Sequence, residues 1–336
     1  MKRGEEMRTL NKDIISQYDI SIKKYQYIRS TYYLDTNKGR FLLRRVDIPK
    51  DQIIFSHEVD VQLRQNNFRN INRIYTTKKR SPYAVYGEQM YIMQSYIEGE
   101  ETDFKDFEDL KNTIYVLAEL HKAAQNITSK VKNAESATVK NLYEYYTKRN
   151  IQNTKLKRRI TTLKQKSKFE IMFLDSCNHY TRLEEMALGG ISRDLGEKLI
   201  HTVRQNQTIA HKDYTYHTVN KTNKGEYIVS NIDICNYDIQ MMDLAHILGR
   251  IMQKNEWDVN ILYALIKAYD SRNTLLKEEF QMLKAMMIYP EKYNGICTKY
   301  LGSKRRWNYS MFEQKWQNMV VYMDNQLEAA KTINSW

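Results

Sequence analysis

His211-Lys212-Asp213 is followed, twenty residues after its aspartate, by Ile232-Asp233-Ile234, and ten residues further on by Asp243-Leu244-Ala245. An aspartate in an exposed loop and a second one closing an apolar strand suit phosphoryl transfer: the first orients a substrate hydroxyl and the second holds Mg²⁺. The spacing points to a kinase-like phosphotransferase. His211 is a poor metal ligand, since Mg²⁺ prefers oxygen donors and no other His or Cys stands at a suitable spacing. It reads instead as the residue that bonds main chain and fixes the loop around Asp213. Asp243, at the head of an apolar stretch, reads as a helix cap or a brace for the same loop.

These residues need a scaffold, and the chain offers two kinds. Residues 1–97 read mainly as strands: "KKYQYIRS", "TYYLDT" and "RFLLRRVD" are rich in β-branched and aromatic residues, with a turn at Asn37-Lys38-Gly39 and a hairpin tip at Arg29-Ser30. A helix is expected over "PKDQIIFSHEVDVQLRQNNF", and hairpin character returns around Gly87. From residue 98 to 336 the pattern is helical. Phe107, Leu110, Ile114, Leu117 and His121 recur at three- and four-residue steps. Further helices are expected over 139–165, 169–187, 194–205, 240–253, 258–269, 273–287 and 309–333. A loop at 209–220 would carry Asp213, and a strand at 227–234 would carry Asp233.

Composition narrows the class. Three prolines and eleven glycines in 336 residues argue against long linkers or a loop-rich scaffold. Cys177, Cys235 and Cys297 are odd in number and far apart, which suggests neither a disulfide framework nor a structural zinc site, and fits reduced thiols in a cytosol. No run of about eighteen apolar residues marks a membrane span, and Met1-Lys2-Arg3 leads into no apolar signal segment. Ten Lys/Arg against one acid lie between Lys140 and Lys168, giving +9 of the formal +13. Such a segment is either a solvated helix face or a site for an acidic protein or other polyanion; no specific nucleic-acid motif accompanies it.

The run "IAHKDYTYHTVNKTNKGEYIVSNIDICNYDIQMMDLAHILGRIMQKNEWD" resembles the catalytic core of the CotS-like spore coat kinase-like family, within the aminoglycoside phosphotransferase and choline kinase group. "YIMQSYIEGEETDF", "IYVLAELHKAA" and "IYPEKYNGICTKYLGSKRRWN" stand in the family's order, so the likeness covers nearly the whole chain. It implies an α+β, protein-kinase-like, two-lobed fold with a small β-rich lobe (1–97) and a large helical lobe (98–336). The implied cofactors are ATP and Mg²⁺. The implied setting is the cytoplasm of the sporulating mother cell and then the spore coat, among other coat proteins. Asp213, with His211 beside it, falls at the catalytic position and Asp233 at the metal position. Gln94, Ser95 and Tyr96 fall at the hinge, where main-chain groups would meet adenine.

The chain departs from the family's pattern at Thr218 and at Arg44, and its first hairpin, tipped by Arg29-Ser30, has no GxGxxG. Where H-x-D-x-x-x-x-N puts a metal-contacting asparagine, this chain has Thr218, whose hydroxyl is a shorter substitute, with Asn220 two residues late. Arg44 stands where the family has its nucleotide-phosphate lysine, and Glu58 is the expected acidic partner on the following helix. A planar guanidinium is not interchangeable with an ammonium in a tight cleft. Two readings follow: an ATP- and Mg²⁺-dependent phosphotransferase acting on a small hydroxylated molecule or a coat protein, or a catalytically impaired relative serving as a structural or interaction component of the coat.

Overall fold

The computed structural model describes residues 9–131, 140–302 and 309–336. The N-terminal part is a six-stranded antiparallel sheet. Strands β1 (Ile22–Ile28), β2 (Thr31–Thr36) and β3 (Gly39–Val46) form a meander. β6 (Gln89–Ser95) pairs with β3, with β4 (Ile74–Tyr75) and with β5 (Ala84–Tyr86). The meander's turns follow from local chemistry. Arg29 and Ser30 both take positive φ at the β1–β2 tip, as a two-residue loop between twisted strands requires, and Gly39 takes φ of 113° after the next turn.

One face of this sheet is covered by a short helix that the sequence pattern does not reveal, α1 (Lys12–Ile15). Leu10, Ile14 and Tyr18 pack on Leu34, Phe41, Leu43, Tyr91 and Met93. The other face belongs to the main core. Helix α2 (Lys50–Gln65) lies there after Pro49, with Asp51 in its first turn and Arg64 in its last, as the helix dipole favours. Its Ile53, Val59 and Leu63 are fully buried.

Strand alternation then decides which residues meet the interior of the molecule. Tyr33 pairs Leu42, Leu42 pairs Gln94, and Thr31 pairs Arg44, so these side chains share the sheet face turned toward the helical part.

After Ser95 the chain crosses to β7 (Gly99–Glu101) and enters the helical part: α3 (Phe107–Ala123), α4 (Leu142–Thr161), α5 (Lys168–Gly189) and α6 (Arg193–Asn206) precede the site. Caps mark their starts. Asp106 accepts from Asp109 N, Asn141 from Tyr143 N and Glu144 N, and Ser167 forms a capping box with Glu170. Then come α7 (Met241–Lys254), α8 (Val259–Asp270), α9 (Lys277–Ile288), α10 (Glu291–Gly302), α11 (Tyr309–Val320) and α12 (Met323–Ser335).

Two differences from the sequence expectation stand out. The single helix expected over 309–333 is two, parted at Val321 and Tyr322, and α10 was not foreseen. Asn294 and Gly295 weaken α10's intrinsic preference, and burial of Tyr293, Ile296 and Cys297 overrides it. Residues 303–308, the end of the last resembling segment, lie outside the described residues.

The crossing at Gly99 is tight. β7 pairs with β9 (Val219–Thr222), and a Cβ at Gly99 would stand 2.3 Å from the Lys221 carbonyl oxygen. Gly99→Ala therefore forces the two strands apart and should lower stability by about 1–3 kcal/mol in denaturant titrations. An unchanged midpoint would show that the crossing yields freely.

Candidate active site

Asp213 lies in the loop between β8 (Ile209–Ala210) and β9, and this loop is fastened from three sides. Asp243 fastens it from below. Its carboxylate, buried near the start of α7, accepts from the N–H of His211 (2.5 Å) and of Lys212 (2.9 Å), and its Oδ2 lies 3.3 Å from His121 Nε2. Burial pushes this carboxyl's pKa up, but His121 and the main-chain donor outweigh it and hold the group below the usual range. His121 is itself held by Tyr269 Oη at 2.8 Å.

His211 fastens the loop from within. Nδ1 accepts from the N–H of Asp213 (3.2 Å) while Nε2 donates to Ser230 O (2.8 Å), which sets the neutral tautomer. Burial depresses its pKa, so it stays neutral and acts by position.

Thr218 closes the loop. Its Oγ1 lies 2.8 Å from Asp213 O and 3.0 Å from Thr215 O, and accepts from Thr215 N at 2.9 Å. The residue is buried, and its hydroxyl is committed to the loop's main chain. The hydroxyl expected to meet a metal is thus bonded to the loop's own main chain. Asn220, the late asparagine, is on β9, where it pairs with Ile228 and Glu101. The Asp213 side chain is half-buried, and no group among the described residues bonds its carboxylate.

Asp233 is not at a strand end as expected. β10 (Tyr227–Val229) stops early because Asn231 takes φ of 64°, and Asp233 sits in the one-turn 3-10 helix Ile232–Ile234. Helix α2 holds that turn: Gln52 Nε2 donates to Cys235 O (2.8 Å) and Asp233 O (3.2 Å), and Ser56 Oγ lies 3.0 Å from Asp233 O.

The Asp233 carboxylate is paired directly with the Arg44 guanidinium, whose Nε donates to Gln94 Oε1 at 3.1 Å. Glu58 is not Arg44's partner. It faces elsewhere on α2 and accepts from Ser129 Oγ and from Lys130 N (3.1 Å). Ser56 and Glu58 are two residues apart, hence on nearly opposite faces of the helix.

At the crossing between sheet and helices, Tyr96 packs edge-on against Tyr33 at 5.9 Å. The N–H groups of Ser95 and Tyr96 are taken by Arg73 O and Arg40 O, so neither of these two donors is open to a base. Gln94 Nε2, by contrast, is a buried donor with no partner among the described residues.

Comparison with known proteins fits this arrangement. The family model described as "Spore coat putative kinase YutH" matches residues 11–333. This chain belongs to the YutH family of spore coat kinase-like proteins. A curated relative, spore coat protein S of Bacillus subtilis (strain 168), is 20% identical over 327 residues, covering 95% of this chain and 92% of that protein.

Among solved structures, an aminoglycoside phosphotransferase from Alicyclobacillus acidocaldarius superposes with a TM-score of 0.86 at 17% identity, covering 97% of this YutH-family chain and 96% of its own. Spectinomycin phosphotransferase, solved with ADP and spectinomycin, gives 0.60 at 14% identity over 93% and 94% of the two chains. The fold is thus the kinase-like α+β fold of these phosphotransferases.

No helix among the described residues is long and apolar enough to cross a membrane. Cys177, Cys235 and Cys297 are free and buried, and burial raises all three thiols, so they are unreactive interior groups.

Proposed function

We propose that this YutH-family chain is a spore coat component that binds a nucleotide in the cleft between sheet and helices and transfers its phosphoryl group very slowly or not at all. The Arg44–Asp233 ion pair carries this reading. The cation that would meet the nucleotide phosphates and the carboxylate that would hold the metal neutralise each other, and Thr218 is bonded away in its own loop. A nucleotide fits the groups present: Arg44 can turn its fork to phosphate oxygens, and Gln94 Nε2 is a buried donor in want of an acceptor. Mg²⁺ does not fit them as arranged. Asp233 is already paired, the Thr218 hydroxyl is bonded to main chain, and among the described residues no three His, Cys, Asp or Glu side chains converge as a metal site. The coat setting rests on the names of the family and of its relative.

The test is a thermal-shift titration with ATP, with and without Mg²⁺, beside a hydrolysis assay. ATP at a hundredfold excess over its Kd should stabilise the protein by about 2.7 kcal/mol, with little change on adding Mg²⁺. Stabilisation that appears only with Mg²⁺ sinks the reading.

One observation favours the second reading, an active phosphotransferase on a small hydroxylated molecule or a coat-protein hydroxyl: Asp213 is held by a firmly braced loop with its carboxylate unbonded. Turnover at about 1 s⁻¹ or faster, a typical kinase rate, would establish it.

A further inference from the structure

Helix α4 carries a surface that shares no residue with the candidate site. Its buried stripe, Leu142, Tyr146, Asn153, Leu156 and Ile160, packs on the helical core. On the opposite face Lys148, Ile151, Lys155, Arg158 and Arg159 recur at three- and four-residue steps and are all exposed, Ile151 by 51%. None of these four cations has an ion-pair partner among the described residues, and the helix's one acid, Glu144, is bound to Arg193 at 3.0 Å.

An ordinary solvated helix face interleaves acids at such steps. Here like charges stand at i, i+3 and i, i+4 (Lys155, Arg158, Arg159), an arrangement that destabilises a helix by about 0.2–0.5 kcal/mol per pair. The face also borders a groove of about 440 Å³ whose lining includes Lys148, Ile151 and Lys155, with Glu144 there neutralised by its pairing with Arg193. Cations therefore surround an apolar spot beside a concavity.

We infer that this face of α4 docks an acidic protein segment carrying an aliphatic side chain that seats in the groove beside Ile151. From Lys148 to Arg158 the face runs about 15 Å, the length of three helical turns or of a short extended segment. The charge requires an acidic partner, and the exposed aliphatic selects a peptide. A single-stranded nucleic acid would call for exposed aromatic platforms, whereas the apolar residue exposed on this face is Ile151. The surface is separate from the cleft and holds whether or not the cleft binds nucleotide.

The test uses the full chain and fluorescence anisotropy with three labelled probes: a short Asp/Glu-rich peptide with one central leucine, the same peptide with lysines for the acids, and a single-stranded RNA. The acidic peptide should bind saturably and weaken as salt rises. The triple variant Lys148→Glu, Lys155→Glu, Arg158→Glu should bind it at least about tenfold more weakly. Ile151→Ser alone should weaken it about fivefold, with melting curves of both variants verifying the fold. Equal affinity for wild type and the triple variant overturns the inference. So does tighter binding of the RNA than of the acidic peptide, or absence of saturable peptide binding.

Discussion

The double variant Thr218→Asn with Arg44→Lys should transfer phosphoryl groups at least roughly a hundredfold faster than the wild-type chain, because each replacement frees a group that the wild-type site holds bound. An asparagine at 218 can do two things that a hydroxyl cannot do together. Its Nδ2 can donate to Asp213 O, which Thr218 now serves at 2.8 Å, while its Oδ1 remains free as a cation contact. A lysine at 44 removes the planar fork that ties Asp233 to Gln94 and leaves a compact charge that rides with a phosphate group. The transferring group needs its charge neutralised by correctly spaced cations, and each misplaced contact raises the barrier by a few kcal/mol.

Single-turnover assays with ATP and Mg²⁺ decide the matter, with water as acceptor. A double variant that binds ATP and stays inert would locate the loss of activity beyond these two residues. A wild-type chain already as fast as the variant would show that neither substitution limits transfer.

Periodicity alone located the helices that bury a clean stripe, such as α3, whose Leu110, Ile114 and Leu117 face the core. It failed where tertiary burial sustains a helix with weak intrinsic preference, as in α10, and where a few residues cap a sheet face, as in α1. Asp213 and Asp233 stand out in the sequence because a phosphoryl-transfer site would constrain both residue type and spacing. Their restraints were partly legible: His211 and Asp243 read as braces for the loop, and both bond its main chain.

Arg44's true partner was not legible. Glu58 was expected as its partner on the following helix, but the helix's phase turns Gln52 and Ser56 toward the Asp233 turn instead. Uncharged residues contacting main chain leave no charge pattern to find. The same holds for Thr218, whose part in the loop lies in its hydroxyl's reach to the main chain.

Glu184 should contribute about 3 kcal/mol of stability at acid pH that is lost as pH rises between about 4.5 and 7. Glu184 is fully buried on α5. Its Oε1 accepts from Asn153 Nδ2 (2.6 Å) and Asn294 Nδ2 (3.0 Å), and its Oε2 has no partner among the described residues. Burial raises its pKa from 4.5 to about 7, and two amide donors offset this only in part. The folded state therefore binds the proton more tightly than the unfolded chain does. The stabilisation is complete below pH 4.5 and is lost as pH passes through about 7, above which the buried charge is a fixed penalty.

Glu279 and Glu291 are also raised by burial and act in the same direction, whereas His57, His179, His211 and His246 are lowered by burial and act in the opposite one, so the total curve alone does not assign the effect. Glu184→Gln does, because glutamine keeps the shape and cannot ionise. Denaturant titrations across this range should give nearly equal stabilities at the acid end and a variant more stable by about 3 kcal/mol at pH 8. Parallel curves for the two proteins would mean that Glu184 ionises in the folded state as easily as in water, and that its buried, half-bonded carboxylate has access to solvent after all.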